Sequence, residues 1–142
     1  MFDVKSYEIK QYKEKAHGGN SLKILIAEDN YINQKLLRRM LNHLGFEAEV
    51  CENGQEVLDF LNENKVDVIF MDVQMPVKDG FETTREIVET MGENRPKIIA
   101  LTASALQSDM QKCLEAGMDD YIAKPIMMDI LEEKLNKWKP ES

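Results

Sequence analysis

Val66-Asp67-Val68-Ile69-Phe70-Met71-Asp72 is a near-continuous apolar run that closes on a carboxylate. Val, Ile and Phe suit a pleated surface, and unbroken apolarity of this length suits a strand covered on both faces. A parallel sheet packed between helices supplies that setting. Open sheets of this kind place their ligands beyond the carboxyl ends of the strands. Asp72 is therefore the first candidate for a reacting group.

Moving outward, the chain alternates strand and helix patterns. Leu22 to Ala27 reads as a strand ending in Glu28-Asp29. Ile32, Leu36, Leu37, Met40, Leu41 and Leu44 then recur at helical spacing, with Gly45 as a stop. Phe46 to Cys51 alternates like a half-buried strand, and Val57, Leu58 and Leu61 share a helix face after Asn53-Gly54. Beyond Asp72, the loop Val73 to Gly80 carries Pro76 and Asp79-Gly80, which reads as a turn. A helix is predicted from about Phe81 to Thr90, and a strand over Lys97–Leu101 ends in Thr102-Ala103-Ser104. About Ser108 to Ala116 is helical. Asp120–Ala123 is a fifth strand ending in Lys124-Pro125, and a helix from about Met128 to Trp138 follows. Strands alternating with helices imply a doubly wound α/β fold with right-handed crossovers.

Residues 1–21 read as an N-terminal extension or linker, residues 22–138 as the folded domain and 139–142 as a tail. The stretch Tyr7 to Lys15 has the composition of a short helix, and Gly18-Gly19-Asn20-Ser21 that of a flexible linker. The length of 142 residues fits one domain. The net charge of −8 argues against nonspecific nucleic-acid or anionic-membrane binding. No run reaches the ~18 apolar residues of a membrane span, and the N-terminus is polar. Two cysteines, Cys51 and Cys113, lack metal-type spacing, so free thiols and a cytoplasmic location are expected. Met71, Met75, Met118, Met127 and Met128 read as core and gap filling.

Four of the five strand ends carry chemistry. Glu28, Asp29 and Asp72 would bring three negative charges together, which is unfavourable without a cation or protons. Hard oxygen ligands that leave room for water suit Mg²⁺, and the backbone carbonyl of Gln74 offers one more oxygen. Lys124 and Thr102 supply an ammonium and a hydroxyl for a phosphoryl group between them. Phosphoryl transfer needs mainly positioning and charge neutralisation. With Asp72 as nucleophile the product is an aspartyl phosphate.

The stretch from Leu22 to Trp138 resembles a response-regulator receiver domain. The resemblance rests on Ile26-Ala27-Glu28-Asp29-Asn30 with Asn33-Gln34, and on Phe70-Met71-Asp72 with Gln74-Met75-Pro76 and Asp79-Gly80. It also rests on Ala100-Leu101-Thr102-Ala103 and Tyr121-Ile122-Ala123-Lys124-Pro125. The details are most similar to receivers of hybrid histidine kinases and phosphorelays. The resemblance implies a CheY-like five-stranded parallel sheet in the order 2-1-3-4-5, with helices on both faces. It implies Asp72 as phosphoacceptor and Mg²⁺ held by Asp29, by Asp72, by the Gln74 carbonyl and by Glu28 directly or through water. Lys124 would pair with the phosphoryl group, the Lys124-Pro125 bond would be cis, and Thr102 with Tyr121 would form the switch pair. The small Ala103 leaves room for the switch. The output face would be formed by the fourth helix, fifth strand and fifth helix. The expected partner is a sensor histidine kinase or a histidine phosphotransfer domain, with no nucleic acid and no membrane contact. The chain would be free-standing or part of a larger hybrid kinase, catalysing only its own phosphoryl transfer and autodephosphorylation.

Two other classes fit less well. A haloacid-dehalogenase-type phosphatase typically needs a second carboxylate where Gln74 stands. A degenerate receiver acting as a phosphate-independent interaction module would usually have lost one of the acids or Lys124, and all are present.

Overall fold

Strand formation follows the apolar runs, and three of the helices start at a side-chain cap, Asn30, Asn53 or Asp79. The computed structural model describes residues 22–140; the predicted Tyr7–Lys15 helix and the extension before Leu22 lie outside them. The elements in order are β1 (Ile24–Ala27), α1 (Tyr31–His43), β2 (Ala48–Cys51), α2 (Gly54–Glu63) and β3 (Val68–Asp72). They continue as α3 (Gly80–Met91), a 3₁₀ turn (Gly92–Asn94), β4 (Lys97–Thr102), α4 (Gln107–Ala116), β5 (Asp120–Ala123) and α5 (Met128–Trp138). All strand pairs are parallel and the sheet order is β2-β1-β3-β4-β5, the expected architecture.

All five residues of β3 are buried. The strand lies between β1 and β4 with helices on both faces, so its uninterrupted apolarity has the predicted cause. Phe70 is fully buried, and burying such a side chain contributes about 1.5–3 kcal/mol. Alternate residues feed two cores. Val68 and Phe70 join Leu37, Leu41, Leu131 and Leu135 on the α1/α5 side. Ile69 and Met71 join Val57, Ile87, Cys113 and Met118 on the α2/α3/α4 side.

Several expectations need correction. The first three strands begin two residues later than predicted, at Ile24, Ala48 and Val68. Val66 is buried yet precedes the ladder, because Asp67 is occupied in a turn with Lys23, whose N–H it accepts at 2.9 Å. Asp79-Gly80 opens a helix directly. The Asp79 carboxylate accepts the Glu82 N–H at 2.8 Å and caps α3. The apolar stripe of α1 is split. Leu37 and Leu41 are buried, whereas Ile32 is 68% and Leu36 56% exposed. Met127, expected as gap filling, is likewise exposed. Both thiols are free and buried, and burial, helped by Glu56 and Glu49, pushes Cys51 up to about 12.

Gly80 is required by a close approach. A Cβ there would strike the carbonyl oxygen of Asp72 and lie 2.9 Å from the Val73 Cα. Its absence lets the first turn of α3 press against the end of β3, with the Gly80 N–H donating to the Val73 carbonyl at 3.1 Å. The backbone that presents Asp72 is thereby braced from behind.

Candidate functional site: an acidic pocket at the carboxyl edge of the sheet

The register of the parallel strands sets the site. Ala27 aligns with Met71, Asp72 with Leu101 and Thr102 with Ala123. The residues at or just beyond these positions are Glu28, Asp72, Thr102 and Lys124. They emerge at one edge and line an open cleft of about 860 Å³ together with Asp29 and Gln74. Glu28 and Asp72 are buried, while Asp29 is exposed.

Glu28, Asp29 and Asp72 each offer a carboxylate oxygen, and these atoms lie within 4.8 Å of one another. This hard, all-oxygen donor set fits Mg²⁺. The Lys124 ammonium donates to Asp72 Oδ2 at 2.9 Å and to Glu28 Oε1 at 3.1 Å. The Gln74 N–H donates to Asp72 Oδ1 at 3.0 Å, which fixes the carboxylate plane. The Lys124-Pro125 bond is cis, as expected. Ala103 is exposed at the cleft wall.

Thr102 lines the same cleft, and its side-chain hydrogen bonds go to Ser104, not to the acids. The Thr102 hydroxyl accepts the Ser104 N–H at 3.1 Å, and Ser104 in turn donates to Asp109 at 2.6 Å across the start of α4. The Tyr121 ring is half-buried against the α2/α3/α4 core and has the Lys134 ammonium 5.8 Å from its centroid.

One residue that the sequence offered only as part of the resemblance, without a role, contributes directly. Gln34, buried on the inner face of α1, donates its amide to the Glu28 carbonyl at 2.6 Å. It ties the acidic turn to the helix. The available signal was its spacing: Gln34 shares the core-facing stripe with Leu37 and Leu41, a polar residue where an apolar one belongs. The N–H of Asn30 further restrains Glu28 by donating to Oε2 at 3.3 Å.

The electrostatics follow from this crowding. Burial, then the neighbouring Asp72 carboxylate, raises Glu28 from its ordinary 4.5 to about 7, with Lys124 only partly offsetting them. For Lys124, burial works against the charge, yet Asp72 and Glu28 more than compensate and hold the ammonium above its ordinary value. The sign for stability is unusual for a carboxyl group. Between 4.5 and about 7 the folded state holds a proton that the unfolded state has released, so stability falls as pH rises through this window. In metal-free protein, the thermal midpoint of the natural chain should drop relative to Glu28→Gln on going from pH 5 to pH 8. Parallel curves for the two would contradict the shift.

The wound sheet and its acidic pocket are those of the CheY-like receiver fold. The chain belongs to the response regulator receiver domain family, whose model matches residues 24–136. Among curated relatives, it is 44% identical over 122 residues to hybrid signal transduction histidine kinase I of Dictyostelium discoideum, covering 80% of this chain and 7% of the relative. It is 40% identical over 139 residues to the osmosensing histidine protein kinase SLN1 of Saccharomyces cerevisiae, covering 94% of this chain and 11% of the relative. The chain thus spans a small fraction of these relatives' length. Among solved structures, it resembles the receiver domain of a sensor histidine kinase from Pseudomonas aeruginosa PAO1 that has a magnesium ion coordinated in its active-site cleft. The TM-score is 0.76 and the identity 41%, over 83% of this chain and 97% of that one. It also resembles a co-crystal of the Saccharomyces cerevisiae histidine phosphotransfer protein Ypd1 with the receiver domain of Ssk1. Here the TM-score is 0.79 and the identity 34%, over 84% of this chain and 89% of that one. Among the described residues, no helix is long and apolar enough to cross a membrane.

Proposed function

We propose that residues 22–138 form a phosphoryl-accepting receiver unit of a phosphorelay, with Asp72 as the acceptor. The observation that carries this reading is the meeting of three carboxylates within 4.8 Å, with Lys124 bridging two of them. Asp29 and Asp72 would hold Mg²⁺, with Glu28 directly or through water and the Gln74 carbonyl as a further oxygen. Bound Mg²⁺ supplies neutralisation of the carboxylates and of the phosphoryl oxygens.

In the transfer step an ionised Asp72 oxygen attacks the phosphorus of a phosphoimidazole. The O–P bond forms and the P–N bond breaks, and the electron pair leaves on the imidazole nitrogen, which is then protonated from solvent. Lys124 shifts from its carboxylate partners to a phosphoryl oxygen. Thr102 leaves Ser104 and donates its hydroxyl to another, and the Tyr121 ring turns inward behind it. The face made by α4, β5 and α5 then changes, an electrostatic event biasing a two-state element. Loss of the phosphoryl group to water resets it. The unit works in the cytoplasm, free-standing or as part of a larger hybrid kinase; the hybrid kinases among its relatives support the second arrangement.

The partner reading is a histidine phosphotransfer domain. The Ypd1 complex of a similar receiver supports it, and so does the rim of the pocket. Beside Glu28 and Lys124 runs a cleft of about 400 Å³ whose apolar lining includes Leu36, Leu37, Met40, Pro125 and Ile126. Val77, Leu106 and Met127, on the loops after β3, β4 and β5, are exposed as well. An apolar cleft beside the pocket, with further apolar side chains exposed on the loops at the same sheet edge, suits an apolar partner surface carrying the phosphohistidine. Leu36→Asp should slow transfer from a phosphotransfer-domain donor by about 30-fold, the loss of one well-placed anchor. Labelling by acetyl phosphate, which needs no docking, should stay unchanged. Equal loss with both donors would contradict the docking role. Failure of both donors on the unaltered chain would favour a phosphate-independent interaction module.

A further inference from the structure

The pocket leaves one buried carboxylate unused. Asp120 opens β5, at the end of the strand away from Lys124, and its side chain is 8% exposed. One oxygen accepts from the Trp138 Nε1–H at 2.8 Å, with Lys137 at 3.7 Å. The other accepts from Lys134 Nζ at 3.0 Å and from the Tyr121 N–H at 2.8 Å. Burial works against this charge, but the Trp138, Tyr121 and Lys134 donors more than offset it and hold Asp120 below its ordinary range. It is therefore a fixed anion. Lys134 and Trp138 are four apart on α5, so they share one face, and both are anchored to the same carboxylate.

Lys134 has a second contact. Its ammonium sits 5.8 Å from the centroid of the Tyr121 ring, within cation–π range. One side chain thus touches the ring proposed to turn in the switch and the anion that holds the last turn of α5. Resting on the proposed role of Tyr121, we infer that Lys134 is a positioning residue for the Tyr121 ring, and that Asp120 passes a change in that ring through Lys134 to Trp138. When the ring turns inward, Lys134 loses the ring face and keeps only Asp120. Its ammonium then competes differently with the indole N–H and with Lys137 for the two oxygens. The end of α5 becomes a readout of the pocket, although it lies at the opposite edge of the sheet.

Trp138 is the one tryptophan of the chain, so its fluorescence reports this point alone. The experiment adds beryllofluoride and Mg²⁺ to the full chain, following bound fluoride by fluorine NMR and Trp138 by emission. The expected result is a change in Trp138 emission that saturates together with the bound-fluoride signal. In Lys134→Met the fluoride signal should persist and the emission change should be lost, and Lys134→Arg should restore it. Should Lys134→Met not fold, Tyr121→Leu must show the same loss. Bound fluoride without an emission change in the natural chain, or an undiminished change in Lys134→Met or Tyr121→Leu, overturns the relay. Absence of bound fluoride instead overturns the reading of the pocket, and the relay's premise with it.

Discussion

Asp72→Asn should reduce incorporation of phosphoryl label to background, from both acetyl phosphate and a phosphohistidine donor. The amide keeps the shape of the side chain but has no anionic oxygen to attack phosphorus. The neighbours are poor substitutes. Asp29 is exposed at the mouth of the cleft, and Glu28, its pKa raised to about 7 by burial and by Asp72, tends to hold a proton and so is a weaker nucleophile. The variant should remain folded, because the Gln74 N–H can still donate to the side-chain oxygen that replaces Oδ1. Labelling of Asp72→Asn at the natural rate would remove Asp72 from the centre of the account.

Lys124→Met should produce two effects of opposite sign. Phosphoryl uptake should fall by about 10²–10³-fold, the usual cost of removing one preorganised group that stabilises developing charge. Mg²⁺ affinity should rise instead. In the metal-free protein Lys124 is the internal cation of the pocket, bonded to Asp72 at 2.9 Å and to Glu28 at 3.1 Å. Without it the carboxylates depend on an external cation, and one partner's removal leaves buried charge uncompensated. The same loss makes the variant less stable without Mg²⁺ and more responsive to Mg²⁺ in thermal unfolding. Titration calorimetry and labelling kinetics on one preparation check both signs. A fall in Mg²⁺ affinity would show that Lys124 holds the carboxylates in place for the metal and does not compete with it.

Much of this was legible in the residues because the relevant signals are local. A seven-residue apolar run ending in Asp72 announces a buried parallel strand, and the acids at the ends of β1 and β3 announce the pocket. The alternation of elements fixes the wound sheet. What stayed hidden depends on contacts between distant segments. Helical spacing groups Ile32 and Leu36 with Leu37 and Leu41, but only the latter pair is buried against the sheet, while Ile32 and Leu36 are exposed and Leu36 borders the apolar cleft. Gln34 stands in a motif of the resemblance without a role until its amide is seen on the Glu28 carbonyl. Asp120 reads as the start of a strand, since its Lys134 and Trp138 partners lie 14 and 18 residues later. Val77 adopts φ 67, unusual for a β-branched residue, in a loop where sequence indicated only turn chemistry.

The most direct test of the account is to map the phosphoryl group after incubation with a phosphohistidine donor, with and without Mg²⁺, by peptide mass spectrometry under acidic conditions. The account predicts a single base-labile phosphoryl adduct on Asp72 that forms only when Mg²⁺ is present. An adduct on any other residue, or one that forms equally well in chelator, would contradict it.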